Sequence, residues 1–140
     1  MCPARKLNGP TTSELLLRRR AHIPELTALR HALTRWNLAR GLSPRLTPDV
    51  ELAAYEALAN VYLHAYPAGA TGDVELRAQH TPGTLWVDIS DEGDWQPPRA
   101  DCGPWRGRGL VLINQLAGQT AIASTASGTT VSLTWEFTQQ

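Results

Sequence analysis

The feature that most constrains this chain of 140 residues is an almost continuously apolar segment, Leu52 to Tyr66, that carries three strongly polar side chains four residues apart. Positions four apart lie one turn above each other on an α-helix, so Glu56, Asn60 and His64 are predicted to form one polar stripe. Burying an unpaired polar group costs on the order of 1–3 kcal/mol. The stripe is therefore expected to face a polar protein partner, or else a ligand, a metal or water.

Length and composition predict one cytoplasmic domain. A chain of 140 residues is the size of a single domain, and its formal net charge of zero indicates neither a nucleic-acid surface nor a polybasic membrane anchor. The two cysteines, Cys2 and Cys102, are too few for a disulfide framework, which favours a reduced, cytosolic chain. No segment approaches the roughly 20 apolar residues of a membrane span, and the histidines lack the spacing of zinc ligands.

The first half of the chain predicts a strand followed by two helices. An apolar centre bounded by charge predicts a strand over Ser13–Arg20, and apolar residues at helical spacing predict a helix from Ile23 to Gly41. The second helix is predicted to have Thr47 as its N-cap and Pro48 in its first turn. It is expected to end at Tyr66, before a loop rich in proline and glycine.

The second half of the chain predicts two hairpins. Their strands are predicted at Asp73–Gln79 and Leu85–Ser90, and at Thr120–Ser124 and Thr129–Phe137. A third helix is predicted over residues 110–116 and a functional loop, or lid, over residues 94–108. This order fits an α+β two-layer sandwich, in which a mostly antiparallel mixed sheet is covered on one face by about three helices. Residues 13–140 would form this domain, and residues 1–12 a flexible segment.

Four short motifs occur in order along the chain. They are Glu56-Ala-Leu-Ala-Asn60, Asp91-Glu-Gly93, Gly107-Arg-Gly109 before a predicted helix, and Gly128-Thr-Thr-Val131. Together they resemble the ATP-binding (HATPase) domain of the GHKL superfamily, which has the Bergerat fold. Within it, the short single-domain form and the sequence Glu-Ala-Leu-Ala-Asn-x-x-x-His-Ala-Tyr most resemble the bacterial anti-sigma factor serine-protein kinases. The resemblance covers almost the whole chain.

The resemblance implies that ATP and Mg²⁺ are cofactors and assigns roles on the polar helix. Asn60 matches the asparagine that coordinates Mg²⁺ through its side-chain oxygen, and Glu56 matches the proposed catalytic base. Mg²⁺ prefers hard oxygen ligands, and a base one turn from the metal ligand lies near the γ-phosphate. From the residues alone, a structural helix whose Glu56 and Asn60 are satisfied by neighbouring backbone stays an open alternative.

The resemblance also assigns the adenine end of the site. Asp91 matches the aspartate that accepts a hydrogen bond from the adenine amino group, and Gly93 the glycine that allows the base to lie against the backbone. Thr130 is assigned to the adenine-side network, with Thr129 as the weaker candidate. The family pattern is Asp-x-Gly-x-Gly, whereas this chain has Trp95 at the last position, which puts the lid entrance and the nucleotide affinity in question.

The phosphate end is assigned to the start of the third predicted helix, because unpaired backbone amides at a helix N-terminus bind anions. The assigned residues are Arg106, Gly107, Arg108, Gly109 and Leu110. The two arginines have solvation as their alternative role. His64 is not assigned as a phosphoacceptor, because histidine kinases carry that residue on a separate helical domain. A structural role is predicted for it instead.

The resemblance implies an ATP-dependent serine/threonine-protein kinase that phosphorylates a small anti-sigma antagonist protein and sequesters a sigma factor, and so regulates transcription. A homodimer is implied on the same ground only, and no direct contact with nucleic acid or membrane is expected. One alternative is a nucleotide-gated protein-binding module with the same fold and little or no phosphotransfer. Another is an interaction domain with an empty pocket.

Overall fold

The computed structural model describes residues 13–66, 72–93 and 118–137. Within these ranges the chain forms five strands and two α-helices, the second of which continues into a π-helical turn. In chain order, these elements are β1 (Ser13–Arg20), α1 (Ile23–Ala39), α2 (Thr47–Asn60), the π-helical turn (Val61–Ala65), β2 (Asp73–Thr81), β3 (Thr84–Asp91), β4 (Gln119–Thr125) and β5 (Gly128–Glu136). The first predicted strand, the first predicted helix and both hairpins are confirmed.

The strands form one sheet in the order β1-β2-β3-β5-β4, and every neighbouring pair among the described strands is antiparallel. Each hairpin is closed by a two-residue turn, where glycine supplies a positive φ at Gly83 in the first and at Gly128 beside the second. β5 lies between β3 and β4, so the end of β3 meets the start of β5. This adjacency places Asp91 opposite Thr129.

Alternating side chains on the strands build one buried face, which the helices cover. α1 packs against α2 and β1, and α2 also packs against β3. The apolar side chains of this core include Leu26, Leu29, Leu33, Val50, Ala57, Leu58, Leu76, Leu85, Val87, Ile89, Val131, Leu133 and Trp135. The predicted α+β two-layer sandwich is therefore confirmed. The third predicted helix and the lid lie outside the described residues, and within those residues no helix is long and apolar enough to cross a bilayer.

The start of α2 differs from the prediction. Its N-cap is Leu46, whose carbonyl oxygen accepts the N–H of Val50 at 3.0 Å. Thr47 was predicted to be the N-cap, and this is wrong, because the preceding turn already brings its backbone N–H onto the carbonyl oxygen of Ser43. The Thr47 hydroxyl donates to that same carbonyl at 2.9 Å instead of capping the helix.

His80 is a buried titratable group on the helix-covered face of β2. Its ring meets Trp36 edge-on, with centroids 6.0 Å apart, and lies 5.5 Å from the ring of Phe137. Burial, assisted by the positive charge of Arg40, lowers the pKa of His80 below its ordinary value of 6.5. The folded protein therefore favours the neutral imidazole.

We expect the free energy of unfolding to fall as the pH drops below about 6.5, because the unfolded chain then binds a proton at His80 that the folded chain binds only at lower pH. Above that pH both states hold a neutral ring and the contribution is flat. Urea denaturation between about pH 8 and pH 5 measures the slope. His80→Gln should reduce this slope, whereas His31→Gln, on the exposed side of α1, should retain it. An equal slope in the His80 variant and the unmodified protein would contradict the expectation.

Candidate functional site

Asn60 ends α2 as a buried polar residue with an unsatisfied amide. The residue is 9% exposed, and its Nδ2 atom lies buried with no hydrogen-bond partner in the described part of the chain. Glu56, one turn earlier on the same helix, is partly exposed. A buried N–H donor without a partner costs on the order of 1–3 kcal/mol, and no group among the described residues satisfies this one. The stripe was expected to face either a polar protein partner or a ligand, metal or water. The unpaired Nδ2 donor of Asn60 favours a ligand.

The polar stripe does not continue beyond Asn60, because the chain changes there from α-helix to a π-helical turn over Val61–Ala65. The hydrogen bonds of a π-helix span five residues, so the positions that follow rotate away from the line that an α-helix would keep. Ala65 turns into the core, whereas His64 is exposed rather than packed in the interior. π-Helical turns within α-helices occur frequently at functional sites.

Asp91 ends β3 as a buried carboxylate. Only 7% of the residue is exposed, and its Oδ1 atom accepts the backbone N–H of Gly93 at 2.9 Å. Its register partner on β5, Thr129, is buried on the same helix-covered face, where the Thr129 hydroxyl lies 3.2 Å from that of Ser124. An acceptor and a hydroxyl group thus lie opposite each other at one end of the sheet.

The two threonines predicted for the adenine side lie on opposite faces of the sheet. Thr130 lies on the uncovered face of the sheet, where its hydroxyl is 2.9 Å from the hydroxyl of Ser90. Successive residues of a strand point to opposite faces, so Thr130 points away from the face that holds Asp91. The structure brings Thr129, and not Thr130, to Asp91. The buried odd-numbered positions Val131 and Trp135 carried this signal in the sequence.

Glycines allow three backbone segments to meet around Asp91. A Cβ atom on Gly93 would overlap the backbone carbonyl of Ala65 in the π-helical turn. A Cβ atom on Gly128 would overlap the carbonyl oxygen of Asp91 itself. The sequence interpretation gave Gly93 the role of admitting a nucleotide base. The structure shows that Gly93 is required for a contact within the protein, between the turn after β3 and the end of the polar helix.

Tyr66 makes a second connection between the same segments, and the sequence interpretation gave it no role. Its hydroxyl donates to the backbone carbonyl of Asp73 at 2.6 Å and accepts the backbone N–H of Glu92 at 3.1 Å. Burial and the neighbouring carboxylates raise the pKa of Tyr66, although its hydrogen bond from Glu92 acts in the opposite direction. The phenol therefore keeps its proton and its role as a donor at neutral pH. The sequence signal for Tyr66 was its position in the His-Ala-Tyr part of the motif.

Among the described residues, Asn60 is the one whose side chain fits an Mg²⁺-bound nucleotide. No group of three or more His, Cys, Asp or Glu side chains within the described ranges is arranged to hold a metal ion. Mg²⁺ usually keeps several waters and takes substrate phosphates as ligands, so one amide oxygen from Asn60 is a sufficient protein contribution. The residues assigned to the phosphates, 106–110, and the lid, 94–108, lie outside the described residues.

The chain belongs to the histidine kinase-like ATPase domain family, whose sequence pattern matches residues 20–135. Membership in this ATPase family implies ATP binding. This match includes the positions of Glu56, Asn60, Asp91 and Thr129, and it agrees with the resemblance that the four motifs predict. No curated protein sequence matches the chain significantly.

Two solved structures are similar to this fold. The first contains the RsbU and RsbW domains of Rv1364c from Mycobacterium tuberculosis, with a TM-score of 0.72 and 23% identity over 89% of this chain and 32% of that one. The second is the histidine kinase domain of the blue-light activated histidine kinase EL346 from Erythrobacter litoralis, with a TM-score of 0.60 and 20% identity over 79% of this chain and 60% of that one. The present chain thus spans about a third of the length of the first structure. These similarities establish the fold.

The contact between Gly93 and the π-helical turn predicts a large effect of a single methyl group. Gly93→Ala should lower the free energy of unfolding by about 2–3 kcal/mol, because backbone atoms of Ala65 must move. Gly41→Ala is the matched control, since Gly41 has a positive φ but open space around it, and about 1 kcal/mol of backbone strain is expected. Chemical denaturation compares the two. Equal losses would contradict the contact at Gly93.

Proposed function

We propose that this chain binds ATP with Mg²⁺ and phosphorylates a serine or threonine of a small antagonist protein, and that it also sequesters a sigma factor. One observation carries the proposal: Asn60 is buried one helical turn from the partly exposed carboxylate of Glu56, and its Nδ2 donor has no partner among the described residues, so that a phosphate oxygen could accept from it. The end of that helix contacts the turn after Asp91. The RsbW domain in one similar structure supports the choice of the anti-sigma class, as does the Glu-Ala-Leu-Ala-Asn motif.

Each proposed role follows from the chemistry of the side chain. Asp91 accepts a hydrogen bond from the amino group of adenine, and Thr129 presents its hydroxyl from the opposite strand. Asn60 provides an oxygen ligand for Mg²⁺, which supplies positive charge to the phosphates when it is bound. Glu56 accepts the proton of the attacking hydroxyl. The new bond joins that oxygen to the γ-phosphorus, and the bond between the γ-phosphorus and the bridging oxygen breaks to release ADP.

Asp91 is suited to select adenine because its carboxylate is held before a base arrives. Its Oδ1 atom is fixed by the N–H of Gly93, and Gly128 packs against its carbonyl. A buried acceptor discriminates strongly against a base that lacks the matching donor, because the acceptor then loses its partner. The site should therefore prefer adenine over hypoxanthine, which carries a carbonyl oxygen in place of the amino group.

The kinase proposal is tested by separating nucleotide binding from phosphotransfer. We expect ATP with Mg²⁺ to raise the melting temperature, and Glu56→Gln to retain this shift. The same variant should lose at least 100-fold in phosphotransfer to a small antagonist protein that binds this chain, because a general base contributes about 10²–10⁴-fold. Radiolabelled ATP measures the transfer.

The outcomes of this experiment separate the candidate functions. No melting shift with ATP, in the presence or absence of Mg²⁺, would overturn the nucleotide site and leave an interaction domain. A shift without transfer, equal in Glu56→Gln and the unmodified chain, would overturn the kinase and leave a nucleotide-gated binding module.

Thr129 and Thr130 lie on opposite faces of β5, so a change at one residue serves as the control for the same change at the other. Thr129→Val should weaken ATP binding by about three- to tenfold, since one hydroxyl on the Asp91 side is lost. Thr130→Val replaces the neighbouring residue on the opposite face and should leave the dissociation constant within about twofold. Both changes keep a β-branched side chain in a strand and remove one hydroxyl that lies beside a serine hydroxyl. Isothermal calorimetry measures the two constants, and a larger effect at Thr130 would show that the sequence assignment was right.

A further inference from the structure

We propose that Tyr66 is the positioning residue that sets the selectivity for adenine, by holding the turn of residues 91–93 against the end of the polar helix. This inference rests on the proposed function, since it assigns to Asp91 the contact with the base. Tyr66 itself is not required to touch the nucleotide. Its hydroxyl contacts the backbone of the turn, at the N–H of Glu92.

The contacts of the Tyr66 hydroxyl support this role. It accepts the N–H of Glu92 and donates to the carbonyl of Asp73, so one oxygen atom connects the turn after β3 to the first residue of β2. A Cβ atom on Gly72 would overlap the Tyr66 ring, so the absence of a side chain at Gly72 leaves room for the phenol. The preceding residue, Ala65, is the one that Gly93 contacts. Two consecutive residues at the helix end thus hold the turn.

The hydrogen bond to Glu92 acts directly on the geometry of the Asp91 carboxylate. The Glu92 N–H belongs to the peptide that joins Asp91 to Glu92, and the next N–H, of Gly93, donates to Asp91 Oδ1. Fixing the first peptide restricts the second, and the second orients the carboxylate. Without the Tyr66 hydroxyl, the turn can rotate and the acceptor of the adenine amino group loses its direction.

Arg18 makes a second set of contacts with the same turn, from the uncovered face of the sheet. Arg18 forms ion pairs with the side chains of Glu92, Asp73 and Glu75. The side chains of Arg18 and Glu92 are 47% and 66% exposed, and exposed ion pairs contribute little to stability. The ion pair of Arg18 also involves only the side chain of Glu92, whereas the Tyr66 hydroxyl accepts a hydrogen bond from the Glu92 backbone. Tyr66 is therefore the contact that constrains the peptide.

The test compares two tyrosines on the same π-helical segment and its end. Tyr66→Phe keeps the ring that packs on Gly72 and removes only the hydroxyl, so the fold is retained. Tyr62→Phe is the matched control, because Tyr62 is exposed and no hydrogen bond of its hydroxyl occurs within the described part of the chain. Calorimetry gives the dissociation constants for ATP and for inosine triphosphate, which differ at the group that Asp91 contacts.

We expect Tyr66→Phe to raise the dissociation constant for ATP about tenfold and to leave that for inosine triphosphate within about twofold. The preference for ATP should therefore fall about tenfold, while Tyr62→Phe and Arg18→Gln leave it unchanged. In an Asp91→Asn background, where the acceptor is already altered, Tyr66→Phe should have no further effect on the preference. If Tyr66 contributed only to stability, its replacement would not change the ratio of the dissociation constants for ATP and inosine triphosphate.

Other results of this experiment would overturn either the role of Tyr66 or the proposed function. Equal weakening of both nucleotides in Tyr66→Phe, or an additive effect in the Asp91→Asn background, would overturn the inference and leave the proposed function intact. Absence of ATP binding to the unmodified chain would overturn the proposed function, and the inference with it.

Discussion

The antiparallel pairing of β3 with β5 is the constraint on which the candidate site depends. It places Asp91 opposite Thr129, and it brings Gly128 so close to the Asp91 carbonyl that a side chain would not fit. A shift of one residue in this register would exchange the faces of the strand, and a hydroxyl would move away from the buried carboxylate. The apolar alternation that fills the core therefore also fixes which polar groups meet at the end of the sheet.

The helix layer meets this end of the sheet through the π-helical turn. In a continuous α-helix, residue 64 would extend the line of Glu56 and Asn60, and the chain would keep one polar stripe. The π-helical turn instead directs Ala65 onto Gly93 and places Tyr66 against the strand ends. A local change in helical hydrogen bonding thus converts a stripe on one helix into a junction between a helix and a sheet.

The sequence predicted the elements whose signals are local. The existence of β1 follows from an apolar centre bounded by charge, and both hairpins follow from alternation and turn residues. Glu56 and Asn60 follow from a spacing of four. The π-helical turn was not predictable, because its five residues have the composition of an ordinary helix. The motif predicted Thr130 before Thr129, although the apolar alternation of Val131, Leu133 and Trp135 places position 129 on the core face of β5. Tyr66 received no role because its partner Glu92 is distant in sequence, and residues 106–110 keep their assignments as predictions.

The buried polar side chain of Asn60 reduces the stability of the fold that positions it. Burying the Asn60 amide without a partner costs on the order of 1–3 kcal/mol, a large fraction of the net stability of about 5–15 kcal/mol that is typical of a domain. An apolar residue would pack better in that position on α2. A ligand that satisfies the amide recovers this free energy only when it binds the folded chain, so binding and folding stability are coupled. The glycines and Tyr66 act in the other direction, because they hold the turn after Asp91 by contacts within the protein. The Asn60 end of the candidate site is therefore expected to depend on a ligand for stability, whereas the Asp91 end is already ordered by contacts within the protein.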